Sequence, residues 1–159
     1  NDFNKAIELK PGYAEAHYNR GTVFLNEKRN DEALTDLNKA IELKPGYAKA
    51  FFNRGIVLLN EIRNDEALND FNKAIELKPD DAEAYLNRGT AFYNEKRYEE
   101  AISNYSKAIT LKTDYAQAYY NRGLAEFNSG KKEAACMDMK QAASLGYQPA
   151  ADALLHICN

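Results

Sequence analysis

One tripeptide, Asn-Arg-Gly, occurs four times in the chain at a constant interval. It begins at residues 19, 53, 87 and 121, so each copy starts 34 residues after the one before it. A fixed period of this length is typical of chains built from stacked copies of one small unit. Each unit in such a chain buries its apolar face against its neighbours rather than in one central core. The period therefore restricts the fold to an array of similar units.

Each 34-residue unit predicts two helices. In the first unit, apolar residues recur at helical spacing from about Ala14 to Glu27 and again from about Asp31 to Leu43. The second segment carries an apolar stripe formed by Ala33, Leu34, Leu37, Ala40 and Ile41. Pro45 and Gly46 follow it, and proline cannot continue a helix. The sequence contains no strand pattern, so we predict an all-α fold.

The order of large and small residues within each unit resembles the tetratricopeptide repeat family. That family has aromatic, glycine, alanine and proline places at set offsets. The first unit occupies these places with His17, Gly21, Phe24, Ala33, Leu37, Ala40 and Pro45. The third unit has Thr113 at the proline place, and the fourth has Glu126 and Met139 at two apolar places. The resemblance implies a right-handed α–α superhelix, a solenoid of helix-turn-helix repeats.

The resemblance extends over nearly the whole chain and predicts one array, residues 1–159. Residues 1–13 match the second half of a repeat, so we interpret them as the second helix of a truncated repeat. Residues 150–159 follow Pro149 and are predicted to form a capping helix. The four repeats between them span 14–47, 48–81, 82–115 and 116–149. We number these repeats 1 to 4 and count positions from the first residue of each.

The truncated repeat predicts a contact with another molecule. Phe3 and Ile7 lie on the apolar face that would meet the first helix of that repeat. An exposed apolar face favours association. We therefore expect self-association through the N-terminal half-repeat.

Charge and motif content exclude several classes of protein. The net charge is −3, and the 21 basic and 24 acidic residues are interspersed. This pattern argues against nucleic-acid binding, which requires clustered basic residues. No apolar run reaches the roughly 18 residues of a membrane-spanning helix. No nucleophile elbow, phosphate loop or His-Glu metal motif is found, so we predict neither an enzyme nor a cofactor.

The two cysteines and two histidines are predicted to have no special chemistry. Cys136 and Cys158 lack metal-ligand spacing, and we interpret them as two small apolar side chains rather than a disulfide bridge. His17 and His156 lie far apart, and neither has a cysteine or histidine at ligand spacing. We therefore predict no metal site.

The resemblance implies that the first helices of the repeats line a concave groove. Two positions seven residues apart, on one helical face, are asparagine in every repeat. Position six holds Asn19, Asn53, Asn87 and Asn121, and position thirteen holds Asn26, Asn60, Asn94 and Asn128. Aromatic residues border both rows: Tyr18, Phe52, Tyr93, Tyr120 and Phe127. Because an asparagine amide both donates and accepts hydrogen bonds, we predict that these rows bind the backbone of an extended peptide.

Each row also has a structural interpretation. Asparagine at position six can bond a neighbouring helix, and the aromatic residues can be packing residues. Position thirteen lies near the end of the first helix, where we favour a C-terminal cap. A similar row at position six occurs in O-linked N-acetylglucosamine transferases. A different subclass of the family clamps chaperone C-terminal carboxylates, and of its clamp residues this chain has only the position-six asparagine, so we exclude that mode.

The arginine of the tripeptide is unusual for the family, which has leucine at position seven. Arg20, Arg54, Arg88 and Arg122 occupy it. An acidic residue recurs at position twenty-three of the repeat, in the second helix. It is Asp36, Asp70 and Asp138, and repeat 3 has Asn104 there. We predict half-buried ion pairs between the two helices of a repeat. The alternative is that the arginines face the groove and bind an acidic ligand.

Taken together, these patterns predict a protein-interaction scaffold. Its partner would be a protein or an extended peptide bound in the groove, with neither nucleic-acid binding nor membrane insertion. Two alternatives are a non-catalytic recognition arm of a larger enzyme and a self-assembling structural array. Fold alone does not identify the partner.

Overall fold

The computed structural model describes residues 2–158, and over this range the chain forms ten helices and no strand. The helices are α1 (Asp2–Leu9), α2 (Ala14–Asn26), α3 (Asn30–Leu43), α4 (Ala48–Asn60), α5 (Asn64–Leu77), α6 (Ala82–Asn94), α7 (Tyr98–Leu111), α8 (Ala116–Asn128), α9 (Lys132–Ser144) and α10 (Gln148–Ile157). The all-α repeat fold is confirmed, and both helices of repeat 1 lie within one residue of their predicted bounds. None of the described helices is both long and apolar enough to cross a membrane.

The chain divides into two compact halves, which are described separately. The N-terminal half runs through Pro79 and contains α1 to α5, and the C-terminal half begins at Asp80 and contains α6 to α10. Within each half, helices that follow one another in sequence pack together. The pairs α2 with α3, α4 with α5, α6 with α7, and α8 with α9 form antiparallel hairpins.

In each hairpin a glycine on the first helix packs against a large side chain on the second helix. A Cβ atom added to Gly55 would lie 2.7 Å from the Phe71 ring, and one added to Gly89 would lie 2.7 Å from the Tyr105 ring. Atoms do not approach that closely without one of them moving, so only glycine fits. The large residues at this place are almost fully buried in all four repeats: Leu37, Phe71, Tyr105 and Met139. The glycine of the repeated tripeptide therefore permits the close approach of the two helices.

Two residues after the first helix of each hairpin, at position fifteen, the backbone takes the left-handed conformation. The φ angles there are 59° at Lys28, 61° at Ile62, 61° at Lys96 and 85° at Gly130. The next backbone N–H returns to the fifth carbonyl before it, as Arg63 N does to Leu58 O at 2.9 Å. This is the hydrogen-bond pattern of a Schellman motif. Our preferred cap at position thirteen is therefore wrong, because those asparagines are the last helical residues and the capping conformation lies two residues later.

Ile62 is the residue least suited to this conformation, and replacing it with glycine is expected to stabilise the protein by about 1 kcal/mol. Its side chain branches at Cβ, which makes a positive φ especially unfavourable, and it is 78% exposed, so little packing is lost. Urea denaturation measures the effect. Lys96→Gly is the matched control and should gain less, because lysine is unbranched at Cβ. A loss of stability in Ile62→Gly would contradict the strain that we infer.

A disulfide joins the last two helices of the C-terminal half. Cys136 lies in α9, Cys158 directly follows α10, and their sulfur atoms are 2.05 Å apart. The prediction of two separate apolar side chains is therefore wrong. Helix α10 folds back against α9 and brings the two Cα atoms to 5.3 Å, within the range that a disulfide spans. Sequence spacing did not reveal this approach, because it depends on how the last helix packs.

Candidate functional site

The position-six asparagines of the N-terminal half lie in different surroundings. Asn53, on α4, is buried, and its Nδ2 donates to Oγ1 of Thr22 on α2 at 2.9 Å. This bond joins the first helices of repeats 1 and 2. Asn19, at the same position of α2, is exposed, and among the described residues its side chain has no hydrogen-bond partner. Asn53 thus has a structural contact that Asn19 lacks.

The position-six asparagines of the C-terminal half also differ. Nδ2 of Asn87 donates to the carbonyl oxygen of Glu83 in its own helix at 2.8 Å. Asn121 is half-buried, and among the described residues its amide has no hydrogen-bond partner. It lines a cleft of about 180 Å³ whose other walls are Thr90, Tyr93, Asn94, Tyr105 and Leu124. Asn121 is therefore a position-six asparagine with both a free amide and an adjoining cleft.

The cleft lies between α6 and α8, with Tyr105 of α7 contributing to it. Burial raises the pKa of the Tyr105 hydroxyl, which donates to Thr90 Oγ1 at 3.3 Å. Tyr105 therefore remains a neutral phenol at physiological pH. Every residue that lines the cleft is uncharged. Its chemistry suits polar and apolar neutral groups rather than an ion.

The position-thirteen asparagines lie at the exposed ends of the first helices. Asn26, Asn60 and Asn94 are exposed, and Asn94 also lines the cleft. Nδ2 of Asn128 is shared between Tyr93 Oη at 2.8 Å and the carbonyl oxygen of Leu124 at 2.9 Å. Asn128 thus orients Tyr93 in the wall of the cleft.

The aromatic residues beside the rows are mostly anchored in their own half. The Tyr18 ring centroid lies 4.8 Å from that of Tyr47, and the Tyr120 centroid lies 5.2 Å from that of Tyr147. Tyr93 packs against Tyr98 at 5.6 Å. Phe52 packs against Phe71 at 6.1 Å. Phe127 differs from these, because 42% of it is exposed. These rings combine packing with partial exposure, as residues at the edge of a groove do.

The arginines at position seven form two-point hydrogen bonds to the aspartates at position twenty-three. Nε and a terminal nitrogen of Arg54 donate to the two carboxylate oxygens of Asp70 at 2.7 and 2.6 Å. Arg20 with Asp36 and Arg122 with Asp138 have the same geometry. The aspartates are buried, while the arginine side chains are about a quarter exposed. The arginine charge is therefore paired with a carboxylate inside the hairpin.

The remaining nitrogen of these arginines reaches the second helix of the preceding repeat. Arg20 donates to Asn4 Oδ1 at 2.9 Å, Arg54 to Asn38 Oδ1 at 2.7 Å and Arg122 to Ser106 Oγ at 3.0 Å. These acceptors were not predicted from the sequence. A signal was present, because position twenty-five repeats as Asn38, Asn72 and Ser106. Each such arginine thus joins three helices.

In repeat 3 the arginine has a neutral amide as its acceptor instead of a carboxylate. Nε of Arg88 donates to Asn104 Oδ1 at 2.7 Å. Burial lowers the pKa of Arg88, whereas hydrogen bonds to aspartate raise the pKa of Arg20 and of Arg122. The opposite directions follow from the partner, because a carboxylate stabilises the guanidinium charge more than an amide does.

Glu126 places a carboxyl group where repeats 1 to 3 have Phe24, Leu58 and Phe92. It is buried, and its Oε2 has no hydrogen-bond partner among the described residues. Burial and the nearby Asp138 carboxylate raise its pKa to about 7, against the opposing influence of Arg122 and Lys131. Two carboxyl groups thus lie beside one arginine in repeat 4. Over residues 2–158, no group of three or more histidine, cysteine or acidic side chains is arranged to hold a metal ion.

Comparison with known families agrees with the repeat structure. A family model described as TPR repeat matches residues 63–96 and 89–130. Two further models, described as tetratricopeptide repeat, match residues 14–47 and 116–145. Together these segments cover most of the chain.

The chain belongs to the tetratricopeptide repeat family.

Known structures of similar fold include other tetratricopeptide repeat proteins. MamA residues 41 to the end, from Desulfovibrio magneticus RS-1, is 21% identical and aligns with a TM-score of 0.86 over 92% of this chain and 82% of that one. The Arabidopsis OM64 TPR domain is 26% identical, with a TM-score of 0.69 over 70% and 93%. The first TPR of Spaghetti (RPAP3), bound to the HSP90 peptide SRMEEVD, is 27% identical, with a TM-score of 0.66 over 70% and 90%. No curated protein sequence matches this tetratricopeptide repeat protein.

Proposed function

We propose that this chain is a non-catalytic protein-interaction scaffold that binds an extended, uncharged peptide segment on the first helices of its C-terminal half. The observation that carries the proposal is the free amide of Asn121 at the edge of the cleft formed by Thr90, Tyr93, Asn94, Tyr105 and Leu124. An asparagine amide can pair with both the N–H and the C=O of one residue in an extended peptide. The cleft beside it could then hold the neighbouring side chain.

Two features support a neutral ligand. The residues that line the cleft carry no charge, and the arginines at position seven of repeats 1, 2 and 4 are held by buried aspartates. The RPAP3 domain is bound to an HSP90 peptide, SRMEEVD, that contains adjacent glutamates. In our chain the carboxylate-clamp residues are absent apart from the position-six asparagine. The shared fold supports peptide binding, and the different side chains favour a different peptide chemistry.

The test compares Asn121→Ala with Asn19→Ala. Asn19 occupies the same position and also has a free amide, but it is exposed and lines no described cleft. Asn53 and Asn87 are poorer choices, because each already donates a hydrogen bond within the protein. Peptides selected from a random display library against the wild-type protein provide the probe, and fluorescence anisotropy measures their binding.

Asn121→Ala should weaken binding by about 5- to 150-fold, because it removes two hydrogen bonds of roughly 0.5–1.5 kcal/mol each. Asn19→Ala should bind like the wild type. Circular dichroism establishes that both variants are folded. Equal affinity for all three proteins would remove Asn121 from the site, and selection of only acidic peptides would contradict the neutral ligand.

Self-association through α1 is a second candidate. None of the described residues of α1 is buried, and Leu9 is 79% exposed. The helix packs against α2 and leaves apolar surface accessible. Light scattering over a concentration series tests this candidate, and a constant monomer mass at every concentration would exclude it.

A further inference from the structure

We propose that the Cys136–Cys158 disulfide is a redox site that fastens helix α10, and that a dithiol reductant releases this helix without unfolding the rest of the protein. The bond joins the middle of α9 to the residue directly after α10. The disulfide thus connects α9 and α10 covalently, and the two helices bury little apolar surface against each other. This inference does not depend on the proposed peptide binding.

Non-covalent packing holds α10 weakly. Of its ten residues only Ala150 and Ile157 are buried, while Ala153 and Leu154 pack against the same cluster and remain partly exposed. Leu155 is 69% exposed although it lies in the middle of an apolar run. A short helix with so little buried apolar surface is marginally stable by itself. The disulfide next to Ile157 therefore restrains the end of the helix that would otherwise fray.

The other end of α10 has a separate attachment. Tyr147, the residue before the helix, packs against Tyr120 of α8 with ring centroids 5.2 Å apart. This aromatic contact holds the start of the helix and does not involve the sulfur atoms. Reduction is thus expected to loosen α10 from its C-terminal end, while the contact of Tyr147 persists.

The sulfur atoms are accessible to a reductant. Both cysteines are partly exposed and line an open cleft of about 380 Å³ whose walls include Lys132, Glu133, Met137 and Lys140. The two lysines outnumber the Glu133 carboxylate, so the cleft favours a thiolate leaving group, and this speeds attack on the disulfide. Exposed disulfides are reduced more readily than buried ones. The position of this disulfide fits a bond that is broken and remade under native conditions.

The chemistry balances with a dithiol as the reductant. A thiolate of the reductant attacks one sulfur, the Cys136–Cys158 bond breaks, and a mixed disulfide forms. The second thiol of the reductant then attacks that mixed disulfide and displaces the protein thiolate. The protein gains two electrons and two protons as two cysteine thiols, and the reductant leaves as its cyclic or intramolecular disulfide.

Release of α10 would uncover a defined apolar surface. Met139 and Ala142 of α9 belong to the buried cluster that contains Ile157, and Tyr120 and Leu124 of α8 pack against that cluster. Leu124 also lines the cleft beside Asn121. Redox state would therefore control the exposure of the apolar end of repeat 4.

The test is amide hydrogen exchange, followed by mass spectrometry, on the whole protein with and without dithiothreitol. Exchange at the C-terminal end of α10 should accelerate at least tenfold on reduction, while α6 and α7 remain unchanged as an internal control. A Cys136→Ser/Cys158→Ser double variant should behave like the reduced protein in both buffers. Thiol counting with a maleimide establishes that reduction is complete.

Three outcomes would overturn the proposal. Unchanged protection of α10 after complete reduction would mean that non-covalent contacts are enough to hold the helix. Accelerated exchange throughout the C-terminal half would mean that the bond supports the whole fold rather than one helix. A disulfide that dithiothreitol reduces only in denaturant would mean that the sulfur atoms are inaccessible in the native protein.

Discussion

Replacing Asp70 with alanine is expected to destabilise the protein by about 3 kcal/mol, because it leaves the charge of Arg54 beside a hairpin core without its partner. Two hydrogen bonds of 2.6 and 2.7 Å join these side chains, and the aspartate is almost fully buried. Removal of one member of a fully buried pair costs roughly 3–5 kcal/mol. The Arg54 side chain is 24% exposed, so water recovers part of its solvation and the lower end applies.

Repeat 3 supplies the matched comparison for this prediction. It carries Asn104 in place of the aspartate, and Nε of Arg88 still donates to it at 2.7 Å. Asp70→Asn should therefore destabilise the protein less than Asp70→Ala. Asn104→Asp should stabilise it, because a carboxylate forms a charge-assisted bond with the guanidinium. Chemical denaturation of the four proteins measures the order. An unfolding free energy of Asp70→Ala within about 0.5 kcal/mol of the wild type would contradict the structural importance of the pair.

Replacing Glu126 with leucine is expected to stabilise the protein by about 2 kcal/mol at pH 8. Each unit of pKa shift corresponds to about 1.36 kcal/mol of stability. The expected gain is smaller than the whole shift would give, because the carboxyl group keeps some of its solvation in the folded protein. The pKa of Glu126 in the folded protein is raised to about 7, mainly by burial and then by the charge of Asp138. Leucine restores the type of residue that repeat 2 has at this position, Leu58. The substitution removes both the buried charge and the Oε2 atom without a partner among the described residues.

The sign of the pH dependence follows from proton binding. An unfolded glutamate releases its proton near its ordinary pKa of about 4.5, whereas folded Glu126 keeps it to about pH 7. The folded state binds more protons in this interval, so wild-type stability falls as the pH rises from about 4.5 to 7 and changes little from this group above that. The advantage of Glu126→Leu should therefore increase across the same interval.

Two further variants make the pH experiment specific. Glu126→Gln removes the titration but keeps a buried polar group, so it should flatten the pH profile with a smaller gain than leucine. Glu133→Gln changes an exposed carboxyl group on the same hairpin and is the matched control. Thermal unfolding from pH 5 to pH 8 gives the profiles. If Glu126→Leu and the wild type lose stability in parallel over that range, another group causes the pH dependence.

The hairpins and the charged pairs show how far sequence reasoning extends. Period and apolar spacing placed both helices of repeat 1 to within one residue, because helix formation depends on neighbours three and four positions away. Arginine at position seven and aspartate at position twenty-three recur in the same repeats, which predicted that they pair. The structure places Arg54 and Asp70 at hydrogen-bond distance. Both inferences rest on residues that recur from one repeat to the next.

The asparagine rows show where sequence reasoning stops. The same residue at position six is exposed as Asn19, buried against Thr22 as Asn53, bonded to its own helix as Asn87 and free beside a cleft as Asn121. The repeat pattern assigns all four the same place on a helix. Their partners differ because the side chains on neighbouring helices differ, and no single repeat contains that information.

The sequence by itself determined the all-α repeat, the bounds of the helices and the residues that face one another within a hairpin, since these follow from local spacing and from recurrence. Only the tertiary structure decided that Cys136 meets Cys158, that Glu126 is buried with an oxygen unpartnered among the described residues, and that position fifteen takes the left-handed conformation. Each of these depends on how helices pack or on how the chain turns between them. Packing and chain turns set contacts and backbone conformations that the apolar pattern does not encode. For that reason these three features were visible only in the tertiary structure.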